Sequence, residues 1–164
     1  MLRAVTQFSA LTIARLLGIP YTVQQSAVAV PLTGSTSETT LATVTIPGGA
    51  IGPTGRCIIT TLWSYTNSAN NKTLKVRFGG TNYMNIVVGA TAAYQNINII
   101  RNITASSQKA MPSGAAPFGA SGGAIPTSSV DTTADITVLF TVQLANSGEI
   151  ARLEGYSVEV VYGA

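Results

Sequence analysis

Alternation with a period of two, cut into short pieces, is what most constrains this chain. In Lys72–Phe78, Leu74, Val76 and Phe78 share one face, and Thr73, Lys75 and Arg77 share the other. Ile136, Val138, Phe140, Val142 and Leu144 alternate in the same way with Thr137, Thr141 and Gln143. Successive side chains of a strand point to opposite faces, so this spacing writes a sheet with one buried face. Further strands are expected at Leu41–Ile46, where Ala42, Val44 and Ile46 lie together, and at Arg56–Thr66, which puts Cys57, Ile59, Trp63 and Tyr65 on one side. Asn82–Val88 and Ala93–Ile103 follow. In the second, Ile97, Ile99 and Ile103 share a face and Asn96, Asn98 and Asn102 the other. A last run carries Tyr156, Val158, Val160 and Tyr162, and a closing strand of this kind is expected inside a sheet. Turn chemistry separates the runs: Pro47-Gly48-Gly49, Asn67–Asn71, Gly79-Gly80 and Asn146-Ser147-Gly148.

Seven or eight short strands with no internal helix leave two packed sheets or a barrel. The expected fold is all-β: a jelly-roll-like β-sandwich of about eight antiparallel strands with a short N-terminal helix and arm. An immunoglobulin-like sandwich is the runner-up, without the cysteine pair of antibody-type domains. Residues 1–33 are expected to form the helix and extended arm, and residues 34–164 the sandwich. On a helical projection Leu2, Val5, Ile13 and Leu16 fall within an arc of roughly 80°, and Gly18 and Pro20 end the helix. Gln7 and Arg15 interrupt the apolar run that a secretory signal would need. With Phe8, these four residues are the expected docking contacts of the arm, whose removal (residues 1–33) should leave the sandwich folded. Tyr21–Ser37 reads as an extended linker with one edge strand at Ala27–Val30, confined to an edge by Pro31. Residues 105–132, rich in Ser, Ala, Gly and Pro, read as one long loop.

Composition removes most chemistry. There is no histidine among the 164 residues, which excludes a Ser-His-Asp triad, a Cys-His dyad and a His-ligated metal. The single cysteine, Cys57, excludes an intrachain disulfide, and in an apolar strand it reads as an inert buried thiol. Six acids remain. Asp131 and Asp135 supply too few oxygens for calcium, and no sugar groove marks a glycosidase pair. The glycine-rich stretches lack the Lys-Ser/Thr and following helix of a phosphate loop. The chain is therefore expected not to be an enzyme and to need no cofactor or metal. No apolar run is long enough for a transmembrane helix, so no membrane partner is expected.

Charge is scarce, 9% of residues, and uneven. Between Thr39 and Val130 there is no acid, yet Arg56, Lys72, Lys75, Arg77, Arg101 and Lys109 lie there. From Asp131 onward five acids face Arg152 alone. Solvated strand faces explain this. The sharper reading sets Lys72, Lys75 and Arg77 against Glu154 and Glu159 as polar contacts between subunits. The basic residues are too sparse, and too far from aromatic platforms, for nucleic-acid binding. So few charges protect a small domain poorly against association, which favours self-assembly.

One segment carries a resemblance. Leu62-Trp63-Ser64-Tyr65-Thr66, the Asn-rich turn to Asn71, then Lys72-Thr73-Leu74-Lys75-Val76-Arg77-Phe78-Gly79-Gly80-Thr81 resembles small structural proteins of tailed bacteriophages. The preceding Glu38-Thr39-Thr40-Leu41-Ala42-Thr43-Val44-Thr45-Ile46-Pro47 is similar to the opening of the β-rich domain in that group. Together they span about residues 38–81. The resemblance implies a virion component, made in the host bacterial cytoplasm: a capsid decoration (cement) protein on the outer capsid surface, or a tail-fibre or head-fibre adhesin. The partners it implies are copies of the chain, as a homotrimer, and the major capsid protein, or a host surface receptor for a fibre. It supplies no functional residues.

Overall fold

The computed structural model describes residues 9–111 and 122–164. One helix, α1 (Ala10–Leu17), precedes eleven strands: β1 (Tyr21–Ser26), β2 (Val30–Leu32), β3 (Thr39–Ile46), β4 (Arg56–Tyr65), β5 (Lys72–Phe78), β6 (Thr81–Val88), β7 (Ala93–Thr104), β8 (Ser107–Lys109), β9 (Thr127–Ser128), β10 (Ile136–Leu144) and β11 (Ala151–Val161). They form two antiparallel sheets. The larger runs β1-β11-β4-β7-β8-β9, with β2 also on β11, and the smaller runs β3-β10-β5-β6. If β1 and β2 count as one strand and the short β8 and β9 are set aside, eight strands remain. They pair first with eighth, second with seventh, third with sixth and fourth with fifth. That is a jelly roll: a long hairpin rolled up so that its pairs alternate between two facing sheets.

The alternation builds the core. Cys57, Ile59 and Trp63 of β4, Leu74, Val76 and Phe78 of β5, and Val138, Phe140 and Val142 of β10 are fully enclosed between the sheets. Phe140 stacks on Tyr156 of β11 across the interior, with ring centroids 4.7 Å apart. Gly79 and Gly80 join β5 to β6 with φ of 54° and 85°. Two consecutive left-handed residues are what a two-residue hairpin with the right twist demands.

Two expectations change, and a third falls partly outside the described residues. First, Tyr21–Ser26 is not linker. It is β1, hydrogen-bonded to β11 from Tyr21↔Val160 to Ser26↔Tyr156. Val30–Leu32, Pro31 included, pairs with Ala151–Leu153. The chain from Tyr21 onward is thus the edge of the larger sheet, and removing residues 1–33 would unpair one side of β11. Second, the described helix begins at Ala10, and residues 1–8 of the expected helix lie outside the described residues. Ser9 caps it by accepting from the Thr12 N–H at 3.2 Å, and Gly18 closes it at φ 65°. Third, the stretch 105–132 is not a featureless loop. β8 pairs with β7 and with β9. The buried Gln108 fixes this corner, donating to the Val130 carbonyl at 2.8 Å while its Oε1 accepts from the Val130 N–H and the Ser128 hydroxyl.

Candidate binding surface

The carboxylates and the thiol that could carry chemistry are occupied structurally. Cys57 is buried, and desolvation pushes its thiol far up. Asp131 accepts from the Thr133 hydroxyl and N–H, which holds its carboxyl below the ordinary range. Asp135 accepts from the Gly48 N–H at 2.8 Å. Among the described residues no group of three His, Cys, Asp or Glu could hold a metal ion.

The expected inter-subunit cations are taken up within the chain. Lys72 has the same parity as Leu74 and points inward, with no exposed side-chain surface. Its Nζ lies 2.9 Å from Glu149 and donates to Ser68 Oγ and the Asn70 carbonyl, each at 2.8 Å. Glu149 also accepts from Ser68 and Asn70. These bonds, then Lys72, hold its carboxyl down at about 2. This knot ties the β4–β5 turn to the β10–β11 turn. Lys75 and Arg77 do point out from β5, but both close on Glu38, at 2.6 Å each. Thr141 donates to the same carboxylate, and the Lys75 contact is the largest cause lowering its pKa. The outer face of the smaller sheet therefore has its charges paired and its positions filled largely by Thr and Asn.

The larger sheet differs on both faces. In β7 the inward row is Asn96, Asn98, Ile100 and Asn102, all buried. The asparagines bond locally: Asn98 to the Tyr83 carbonyl at 3.0 Å, and Asn102 to the Gly52 carbonyl at 2.7 Å and Thr132 Oγ1 at 2.8 Å. Ile97, Ile99 and Ile103 consequently face outward, beside Ile58 and Leu62 of β4. Ile97 and Ile99, with Ala110, Met111 and Ile125, line a cleft of about 340 Å³. Next to it a cleft of about 210 Å³ is lined by Arg56, Arg101, Lys109 and the Thr54-Gly55 loop. Arg56 is directly opposite Arg101, and Arg101 directly opposite Lys109. None of these three cations has an ion-pair partner among the described residues. Like charges opposed across neighbouring strands are unfavourable unless anions come between them.

Glu154 and Glu159 lie on this same outer face, in β11. Glu154 accepts from the Ser64 hydroxyl, and Glu159 is opposite Ile58 and Thr22. Of the expected arm contacts, Leu2, Val5 and Phe8 lie outside the described residues. Ile13 and Leu16 are exposed, together with Leu17 and Ile19. The helix seats on the sandwich through Leu11, Ala14 and Arg15, whose guanidinium donates to the Gly49 carbonyl at 2.6 Å and lies over the Tyr162 ring.

Sequence reasoning counted Arg56, Arg101 and Lys109 in the basic stretch but did not place them in a site. The signal that could have found them is β7 itself. In a strand with isoleucines on one side and asparagines on the other, the isoleucine row lacks cover within the chain once the asparagines turn inward, and Arg101 belongs to the isoleucine row.

No family model and no curated protein matches the sequence. Among solved structures, that of the infectious bursal disease virus Gx strain is similar over 87% of this chain and 42% of its own, at 12% identity and a TM-score of 0.22. The chain spans less than half of that neighbour, and a likeness of this strength carries no argument about function.

Proposed function

We propose that this chain is a structural protein of a virion and, more narrowly, a capsid decoration protein that binds the major capsid protein on the outer surface of the head and assembles with copies of itself. The observation that carries the reading is the outer face of the larger sheet. Aliphatic side chains sit there together with cations that have no ion-pair partner among the described residues, a surface suited to association rather than to chemistry. Three further points support it. The jelly roll is a frequent scaffold of capsid domains, although a fold alone does not fix a function. Residues 38–81 resemble small structural proteins of tailed phages. Ile13 and Leu16 present an apolar helix face that no described part of the chain covers, and they are the residues assigned to capsid docking.

The test is immunogold microscopy of intact particles with an antibody against this chain. Gold over the head is the expected result. Gold confined to the tail or to projecting fibres would overturn the decoration reading in favour of an adhesin. The arm is tested by Ile13→Asp with Leu16→Asp rather than by deletion of residues 1–33, because β1 and β2 belong to the sheet. The double substitution should abolish co-sedimentation with capsids and leave the sandwich folded.

A further inference from the structure

We infer that the outer face of the larger sheet is where a second copy of this chain packs, with the β11 side of one copy against the β7–β8 side of the next. The inference deepens the self-association in the reading above and names its surface.

Charge is unevenly spread over the face. Its β11 column carries Glu154 and Glu159 with one cation, Arg152, beyond Glu154. Two and three strands away, Arg101 and Lys109 project from β7 and β8. Ile58 and Ile99 lie between, in the same cross-strand row as Glu159. An acid-rich β11 side around Glu159, cations on the β7–β8 side and aliphatic contact between them are complementary to themselves when two copies face each other about a two-fold axis.

Within one copy Glu159 forms no ion pair with Arg101 or Lys109 among the described residues, and the strands of Glu159 and Lys109 are three spacings, about 14 Å, apart. In the assembly, Glu159 of one copy would sit against Arg101 and Lys109 of its neighbour. That relieves the opposed cations of β4, β7 and β8 and covers Ile97 and Ile99. The area is adequate. Four or five strands of this length present a face of roughly 600–800 Å², close to the ~800 Å² per partner of a standard interface. The other outer face offers no such division, since Lys75 and Arg77 are already closed on Glu38.

The experiment is charge reversal read by solution mass, with the folded state followed by circular dichroism. The wild-type chain should be multimeric at micromolar concentration. Arg101→Glu with Lys109→Glu should weaken the association by about 100-fold, the scale for breaking close interfacial charge pairs. Adding Glu159→Arg to that pair should restore it. All three side chains project from the sheet surface, and Thr137→Ser on the outer face of the smaller sheet serves as a variant that should change nothing. A monomeric wild type, or a reversal that leaves the mass unchanged, would overturn the inference. Capsid co-sedimentation of the wild type is read separately, so a failed interface and a failed virion assignment give different results.

Discussion

The two outer faces of this sandwich have the same alternating backbone and opposite character. On the smaller sheet the outward row of β5 is Thr73, Lys75 and Arg77, and its cations are closed by Glu38 from the start of β3. On the larger sheet the outward rows of β4 and β7 hold Ile58, Leu62, Ile97 and Ile99, and the cations beside them have no counter-charge in the described chain. One face has its charges closed within the chain, although Val87 of β6 is exposed on it. The other leaves aliphatic surface exposed and like charges opposed, a cost that a second molecule can relieve.

The comparison breaks most completely if the shared core is opened. Trp63 is fully buried between the sheets, so Trp63→Ala should cost about 3–5 kcal/mol and destabilise both faces together in denaturant titrations. A smaller effect is expected at the turn knot. Lys72→Ala strips a buried cation from Glu149, Ser68 and Asn70, and should lower the midpoint without changing the association state, since the knot lies away from the charge-divided face. This knot also predicts a pH dependence. The Glu149 carboxyl is held at about 2 against an ordinary 4.5. A lowered folded-state pKa gives stability that is fully present above about pH 4.5 and is lost as the pH falls towards 2. Glu149→Gln should therefore flatten the acid limb of thermal stability relative to wild type. An unchanged limb would remove the knot from the account.

The inner row of β7 sharpens the comparison further. Asn98→Val leaves the Tyr83 carbonyl without its partner and should cost about 1–3 kcal/mol, although it adds apolar surface inside. The smallest stability changes belong to the outer rows. Ile97→Thr with Ile99→Thr should alter the unfolding free energy of the isolated chain by under about 1 kcal/mol, and Lys75→Met by a similar amount. They should part in association: the isoleucine pair should release the multimer, and Lys75→Met should not.

Much of the architecture was legible in the sequence. The alternation in Lys72–Phe78 and Ile136–Leu144 gave the strands, their inward faces and enough strand count for a jelly roll. What stayed hidden depended on partners distant in sequence. Lys72 shares the parity of Leu74, but the burial of its ammonium is stabilised by Glu149, 77 positions on, and no local pattern announces that pair. Tyr21–Ser26 has weak alternation and became a strand because β11 had a free edge. In β7 periodicity separated isoleucine from asparagine but could not say which row turned inward. The carbonyls of Tyr83 and Gly52 decided it by bonding the asparagines. Glu154 and Glu159 were singled out from the sequence. Their complementary cations were not, because pairing by charge count pointed to β5 rather than to β7 and β8.

The most direct test of the larger sheet as the association surface is zero-length carbodiimide cross-linking of an equal mixture of ordinary and ¹⁵N-labelled chains, read by mass spectrometry. The Glu38–Lys75 link on the smaller sheet should form within single chains and so carry one isotope, which makes it an internal control. Glu159 should link to Lys109 in peptides that carry both isotopes. A Glu38–Lys75 link without any mixed-isotope Glu159–Lys109 link would contradict the account.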